Sequence, residues 1–513
     1  MKTIHPIQNR RNYFSLPAFL AVIVSGCAVG PDYKKPVVSA PTQWNETAAG
    51  VAAGRNASEA AWWKAFHDPE LDSLVDRATA ANLDLKVATA RVREARAQYG
   101  VAKADFWPTV DGTGSFARQQ ESKHQPLIGQ FPLPAGIPFT NNVYQAGFDA
   151  SWELDVFGGT RRATEAARAE VESSEFSRRD VLVSLLGEVA RNYVEVRALQ
   201  RRLAIARENI QAQSEALAIA SDRYQKGAAA ELDVKQAAAL LASTRAQVPS
   251  LTSNLDASVH RLGVLLAQPP GALKNELSAM APIPAAPPDV PAGLPSDLLT
   301  RRPDVQQAER ELAAATARIG VAKSDWFPKF SLNGDLGAQS VNTSDWFTPG
   351  SKFWSFGPTM QWRIFDAGRI RANVEVQNAR QEQALENYEQ TVLTSFEEVE
   401  NALSAYGNEQ IRRDSLAVAV KNDQETVALA RNLYRNGLTP FINVIDAERS
   451  LYQAQDDLVQ SDRSVTQDVI ALYKALGGGW ENGPDGIGLS SPQPAPGQVA
   501  SAAGHEKPIC LNP

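Results

Sequence analysis

The sequence predicts an α+β membrane protein built from long helices and four amphipathic strands, with the same plan written twice along the chain. Three runs that alternate apolar and polar residues lie between Val143 and Phe365, and a weaker fourth run covers Val110 to Phe116. Such alternation gives a strand one apolar and one polar face. Two long stretches also carry an apolar residue at almost every seventh position, which is typical of helices that pack along a continuous seam.

The strand runs favour a lipid environment over a half-buried soluble sheet, although a soluble sheet would give the same alternation. Large aromatic residues cluster near the ends of the runs, as in the girdles of membrane barrels. The runs are also about 10–12 residues long, which a tilted strand needs to cross a bilayer. Because four strands cannot close a membrane barrel, the chain must either not span the membrane or share a barrel with its copies. Three chains would supply twelve strands.

The two seams predict helices that reach roughly 100 Å at 1.5 Å per residue. The seams consist of Leu182, Val189, Val196, Leu203, Ile210, Leu217 and Tyr224, and of Val392, Val399, Tyr406, Val420, Val427 and Tyr434, with Arg413 as the one polar interruption. A spacing of seven predicts left-handed supercoiling. Return helices are predicted over Glu231–Ala267 and Phe441–Ala475. Together with a shared barrel, this pattern predicts a tube.

Three internal matches indicate two structural halves. The matched pairs are Gly100–Pro108 with Gly320–Pro328, Tyr224–Gly227 with Tyr434–Gly437, and Trp152 followed by Gly159 with Trp362 followed by Gly368. Pro108 and Pro328 lie where helix is expected to pass to strand, since proline lacks the N–H and restricts φ.

The domain prediction follows from these matches. Residues 61–268 form the first half, with a β-hairpin at about 109–154 and a helical hairpin at about 160–268; residues 298–478 form the second, with hairpins at about 329–365 and 367–477. A proline-rich linker, 269–297, joins them. The tail, 479–513, is rich in Gly, Pro, Ser and Ala and is expected to be disordered.

The N-terminus predicts export and a lipid anchor. Basic residues precede an apolar run from Leu16 to Val24, so residues 1–26 have signal-peptide anatomy. Val24–Cys27 resembles a bacterial lipobox, in which Cys27 becomes the lipidated first residue of the mature protein. Ala28 then favours sorting to the outer membrane, and residues 27–60 form a lipid-anchored linker. An ordinary signal peptide with an incidental cysteine is the alternative.

Composition excludes several classes of function. The 513 residues carry a formal charge of −7, and an acidic chain disfavours a duplex nucleic-acid partner. The two cysteines, Cys27 and Cys510, and the five histidines lie at no metal-ligand or redox spacing. No Ser/His/Asp or paired-acid constellation is recognisable, so we expect neither an enzyme nor a cofactor beyond the lipid on Cys27.

These features resemble the outer membrane factor family, the TolC/OprM-like channels of tripartite efflux systems, and its lipidated NodT-type branch in particular. The residues that carry the resemblance are Cys27–Tyr33, Trp62 and Trp63, Phe66–Leu71, the two Gly-Val-Ala-Lys segments and the two Tyr-Xaa-Xaa-Gly turns. The resemblance implies a homotrimer with a twelve-strand barrel in the outer membrane and a twelve-helix periplasmic tunnel. It also implies a periplasmic adaptor and an inner-membrane RND-type pump as partners.

The resemblance further implies a gate at the periplasmic tip, after the second turn. Ile442 and Asp446 lie one turn apart on one helix face, and in a trimer they would form an apolar ring and a carboxylate ring. Asp446 matches a gate carboxylate of the family, whereas Asn443 replaces a second one. Arg449 is expected to pair with Asp446 across the seam. Without the resemblance, a helix cap or a solvated face would explain Asp446.

The same resemblance implies a lock between the two halves. Asp233 matches a gate-locking residue and Tyr434 its tyrosine partner, while Thr439 stands where some relatives have the arginine of the lock. Gly227 and Gly437 would allow positive φ at the turns. The alternatives are a helix cap for Asp233, and core packing for Tyr434 and Tyr224 as members of the heptad seams.

The leading functional hypothesis is a passive exit duct for small molecules such as drugs or other toxic compounds. The duct of a type I protein-secretion system is the alternative within transport. A structural coiled-coil lipoprotein that bridges the envelope is the alternative from a different class, and it would have no use for amphipathic strands.

Overall fold

The computed structural model describes residues 28–46, 51–53, 60–120, 122, 139–287 and 290–482. The predicted signal peptide, Cys27, Cys510 and the tail beyond Asn482 lie outside these ranges. The elements in chain order are β1 (Val51–Ala53), α1 (Pro69–Ala81), α2 (Leu83–Ala104), β2 (Thr109–Gln120), β3 (Thr140–Leu154), α3 (Gly159–Gln225), α4 (Glu231–Leu265), β4 (Val290–Gly293), α5 (Pro295–Arg301), α6 (Pro303–Ser324), β5 (Lys329–Ser340), β6 (Lys352–Gln361), α7 (Arg369–Arg435) and α8 (Phe441–Ala475).

Four strands form one antiparallel sheet in the order β2-β3-β5-β6, so the strand pairs of the two halves lie side by side. Among the described strands, β2 and β6 each have one unpaired edge. The run predicted to continue through Trp362 and Ile364 ends as a strand at Gln361. There the chain leaves the sheet and passes towards α7. The alternation of apolar and polar residues therefore continues beyond the segment that pairs with a neighbouring strand.

The register separates the two faces of this sheet. Phe148, Leu336 and Trp354 lie opposite one another on one face, and all three are exposed, Trp354 by 80%. The adjacent row, on the other face, aligns Asp111 with Asp149 and Asp149 with Asp335. We call these three residues the aspartate row. Like charges directly opposite one another destabilise a sheet, so packing alone does not explain the row.

Two long helical hairpins contain most of the α-helical residues that the structure describes. Helices α3 and α7 have 67 residues each, and α4 and α8 have 35 each. Asp155 and Asp366 lie just before the long helices. Their carboxylates accept hydrogen bonds from backbone N–H groups at the helix starts at 2.8–3.1 Å, which satisfies donors that have no partner within the helix. No helix within the described ranges combines the length and the apolar character needed to cross a bilayer.

The main core lies where α3, α4, α7 and α8 pack together near the middle of the long helices. The seam residues Val189, Val196, Val392 and Val399 are completely buried there. Towards the tip the first seam loosens, because Tyr224, its last member, is 45% exposed. Heptad spacing therefore identified which face of each helix is buried, but not over what length of the helix that face remains buried.

Both segments predicted to be linkers pack against the helices. In the N-terminal segment, Trp44 is buried and its Nε1 donates to the Gly293 carbonyl at 3.2 Å. Strand β1 pairs in parallel with β4, which lies within the predicted 269–297 linker. Leu273 and Leu277 of that linker are buried in the main core. The prolines exclude long helix there, but the apolar residues between them still supply core contacts.

The two Gly-Val-Ala-Lys segments have different surroundings. A Cβ on Gly320 would meet the Val29 carbonyl at 2.8 Å and the Arg162 side chain at 2.7 Å. A Cβ on Gly100 would meet nothing within 4 Å among the described residues. Close packing therefore accounts for Gly320, where the N-terminal segment crosses α6 and α3, but not for Gly100 within one chain.

Asp468 on α8 is expected to make the fold less stable at neutral pH than in mild acid. Burial raises the pKa of Asp468 to about 6; Glu409 adds to the rise and Arg191 opposes it. The folded chain thus holds this proton more tightly than the unfolded chain, whose aspartate pKa is about 3.9. The stabilisation that protonated Asp468 contributes is therefore fully present below about pH 4 and is lost as the pH rises through about 6.

The substitution Asp468→Asn should remove this pH dependence and raise the free energy of unfolding at neutral pH by about 1 kcal/mol, after allowance for partial exposure. Thermal melting at about pH 4.5 and pH 7.5 checks it, with Asp457→Asn on the same helix as the control. Equal pH dependence in wild type and Asp468→Asn would contradict the prediction.

Candidate functional site

The candidate site lies at the tip, where the two helical hairpins turn. Both turns end their first helix in the same way. The Gly227 N–H donates to the Tyr224 carbonyl and the Gly437 N–H to the Tyr434 carbonyl, each at 2.9 Å. The glycine φ angles are 71° and 72°. Positive φ lets glycine close a helix C-terminus in a Schellman motif without the strain that a Cβ would bring.

The tip brings Tyr434 and Asp233 together from the two halves of the chain. The Tyr434 hydroxyl donates to Asp233 Oδ2 at 3.4 Å, and the tyrosine is only 5% exposed. Burial raises the pKa of the Tyr434 hydroxyl; the Asp233 carboxylate adds to the rise and the Arg223 guanidinium opposes it. Asp233 is not the N-cap of α4. That position belongs to Ala230, which provides no capping side chain.

The ring of Tyr434 also anchors a small apolar cluster at the tip. It lies 4.8 Å from the ring of Phe441, the first residue of α8. Val444 and Ile445 on α8 and Ala220 on α3 are buried in the same cluster. Core packing and the contact with Asp233 thus act on the same side chain. Tyr224, the corresponding tyrosine of the first turn, belongs to no such cluster and is largely exposed.

The predicted gate residues share an open face of α8. Ile442 is 41% exposed, and Asp446 and Arg449 are exposed as well. The Arg449 Nη1 lies 3.8 Å from Asp446 Oδ1 within the same helix, three residues apart. Within one chain the pair is thus a contact inside a single helix, and pairing of Arg449 with Asp446 across the seam stays a prediction. Asn443, on the same helix, donates to the Thr439 hydroxyl at 2.7 Å.

The chain matches a family model described as "Outer membrane efflux protein" over residues 74–268 and 294–478. The chain belongs to this family. It is 34% identical over 472 residues to the toluene efflux pump outer membrane protein TtgI of Pseudomonas putida, covering 91% of this chain and 98% of that protein. It is 32% identical over 466 residues to nodulation protein T of Rhizobium leguminosarum bv. trifolii, covering 90% and 96%.

A solved structure of the outer-membrane channel OprN is also similar to this outer membrane efflux protein. The two share 37% identity with a TM-score of 0.82, covering 89% of this chain and all of that chain. The resemblance noted in the sequence is thereby confirmed, and so is localisation to the outer membrane with helices that extend into the periplasm. The relatives are channel proteins.

Sequence reasoning missed one residue of the efflux protein's tip. Arg223, in the last turn of α3, places its guanidinium carbon 4.7 Å from the centre of the Tyr434 ring. It also donates hydrogen bonds to the Tyr434 carbonyl and, at 3.2 Å, to the Arg435 carbonyl. The only sequence signal was its place just before the first Tyr-Xaa-Xaa-Gly turn, which an exposed arginine would fill equally well.

Across the described residues, no group of three or more His, Cys, Asp or Glu side chains is arranged to hold a metal ion. The aspartate row is not such a group. What the tip does offer is a set of contacts between two hairpins that could be made or broken. That arrangement suits control of passage through a channel.

Proposed function

We propose that three copies of this efflux protein form a passive exit duct for small molecules such as drugs or other toxic compounds. The observation that carries the proposal is the combination, in one chain, of an exposed apolar sheet face and two 67-residue helices. The duct is not an enzyme, and its only covalent addition is the lipid on Cys27.

The sheet supports the trimer. Its two edges, β2 and β6, need partners, because unpaired backbone groups are not tolerated in lipid. Joining β6 of one chain to β2 of the next closes a barrel of twelve strands. The duplicated hairpin pattern likewise places four helices per chain around the axis towards the tip, which makes a twelve-helix tunnel there. Helices α3 and α7 reach about 100 Å, and α4 and α8 about 50 Å.

The tip supports an iris-like gate. In a trimer, the open face of α8 turns towards the axis, so that Ile442 forms an apolar ring and Asp446 a carboxylate ring. The Arg449 guanidinium places a positive charge beside the Asp446 carboxylate within the same helix. The contact between Tyr434 and Asp233 then holds the second hairpin against the first and keeps these rings narrow.

The turns support docking of a periplasmic adaptor, which would link the duct to an inner-membrane RND-type pump. Leu438, in the second turn, is 73% exposed, and Leu232 at the start of α4 is also exposed. Exposed apolar side chains at a tip suit a protein partner. The substrate depends on that pump, since a passive tube accepts what is delivered to it.

Single-channel recording tests the duct and the gate together. The mature protein in a planar bilayer should give a mostly closed pore of low conductance, and Asp446→Ala should raise the conductance because the smaller side chain widens the narrowest point. The control is Asp457→Ala, about three turns further along the same helix. Equal, high conductance in the wild type and in Asp446→Ala would show that Asp446 is not part of the gate. A folded trimer without any channel would favour the envelope-bridging lipoprotein.

The aspartate row predicts that the open duct prefers cations. With the apolar face of the sheet towards lipid, the row faces the lumen, and three chains would place nine carboxylates around the inside of the barrel. Rings of carboxylates make pores cation-selective. Neutralising the row with Asp111→Asn, Asp149→Asn and Asp335→Asn should shift the reversal potential in a salt gradient towards zero. Asp345→Asn in the β5–β6 loop is the control, and an unchanged reversal potential in the triple variant would contradict the prediction.

A further inference from the structure

We infer that Arg223 is a gate-positioning residue whose guanidinium joins the two hairpin turns of one chain and holds the tip closed. The inference rests on the proposed gate and adds to it a residue outside the predicted lock. Its basis is that a single side chain contacts both turns at once.

The contacts of Arg223 span the boundary between the halves. Towards the second half, Nη1 donates to the carbonyls of Tyr434 and Arg435, and the guanidinium lies over the Tyr434 ring. Towards the first half, Nη2 donates to the Ala228 carbonyl at 3.3 Å, within the turn that follows α3. Movement of α7 away from α3 would break the first set of contacts and keep the second.

Arginine suits this position for two reasons. The last carbonyls of a helix have no partner within the helix and carry the negative end of its dipole, and α7 ends at Arg435. A planar guanidinium can bond two such carbonyls while stacking on an aromatic ring, which a lysine ammonium cannot do. Arg223 therefore recognises the folded end of α7, including its Tyr434 ring.

Thr439, in the second turn, bonds within its own half. Its hydroxyl accepts a hydrogen bond from Asn443, four residues further along the chain. This contact stays within the second hairpin. Arg223 provides the charged link across the halves that Thr439 does not provide, and it works beside the contact between Tyr434 and Asp233.

The test compares Arg223→Ala with Lys226→Ala in single-channel recordings. Both variants remove one positive charge from the same turn, but Lys226 is exposed and its ammonium pairs with Asp222 of its own hairpin, at 2.7 Å. We expect Arg223→Ala to raise the open fraction at least about tenfold, since charged hydrogen bonds are among the stronger ones. Lys226→Ala should behave like the wild type. Arg223→Lys should raise the open fraction less, because it keeps the charge and loses the fork.

A double variant separates positioning from general destabilisation. Tyr434→Ala removes the ring over which the guanidinium lies but keeps the backbone carbonyls at 434 and 435. Arg223→Ala should therefore shift the closed–open equilibrium constant less in the Tyr434→Ala background than in the wild type. Full additivity of the two effects would overturn the inference.

The remaining outcomes are also decisive. A trimeric Arg223→Ala with wild-type gating overturns the inference and leaves the duct intact. If Arg223→Ala forms no trimer, Arg223→Lys decides, and wild-type gating of that variant overturns the inference. A wild-type protein that forms no pore overturns the proposed function, and the inference falls with it.

Discussion

Replacing Tyr434 with alanine is expected to leave the reconstituted channel open for most of the recording time. The substitution removes a buried ring from the tip cluster. It leaves the Arg223 guanidinium without its aromatic partner and Asp233 without the tyrosine hydroxyl. Loss of a buried aromatic side chain costs about 3 kcal/mol or more. Because these contacts join the hairpins, that cost falls on the closed state and shifts the closed–open equilibrium roughly 100-fold.

The matched control for this prediction is Tyr224→Ala. Tyr224 occupies the corresponding position of the first turn and is largely exposed, so its truncation should change the open fraction little. Tyr434→Phe isolates the hydroxyl, whose single hydrogen bond is worth about 1 kcal/mol. Similar gating in Tyr434→Ala and Tyr224→Ala would contradict the asymmetry of the two turns and remove Tyr434 from the gate.

The largest effect on stability is expected from Arg302→Met. Arg302 is buried and donates to Asp304 at 2.6 and 3.0 Å, to Glu398 at 2.7 Å and to the Ala475 carbonyl at 2.9 Å. It thereby joins the start of α6, the middle of α7 and the end of α8. Methionine fills the space but leaves two carboxylates and a helix end without this partner.

Breaking a buried ion pair by removing one partner costs about 3–5 kcal/mol, and the partial exposure of Glu398 favours the lower end. Chemical unfolding of the purified protein should show a loss of about 3 kcal/mol. The control is Arg371→Met, whose exposed pair with Glu375 on α7 is worth no more than about 1 kcal/mol. A loss no larger than that of the control would show that the Arg302 network is dispensable.

The elements of this protein could be predicted from local pattern. Seven-residue spacing marked the buried stripes of α3 and α7, as the complete burial of Val189 and Val399 shows. Period-2 alternation located the strands, since side chains alternate faces whatever the strand pairs with. Trp362 lies beyond the end of β6 because pairing, unlike alternation, depends on a neighbouring strand.

The candidate site was only partly predictable. The resemblance pointed to Tyr434 and Asp233, which lie in contact, but Arg223 had no recognisable pattern because its acceptors are backbone carbonyls of another helix. Backbone groups are the same at every position, so no residue type in α7 marks them as a partner. The two turns also looked equivalent in sequence, and only packing against α8 buries Tyr434 while Tyr224 stays exposed.

The sequence by itself determined the class of molecule: long seamed helices, amphipathic strands and an acidic, exported chain. These properties depend on periodicity and composition, which can be read from the sequence without knowing which segments pack together. The tertiary structure decided which glycine is close-packed, which tyrosine is buried and that the supposed linkers belong to the core. Those outcomes depend on which surfaces pack against each other. The shape and charge of residues far apart in the chain determine that packing, and no repeated sequence pattern marks it.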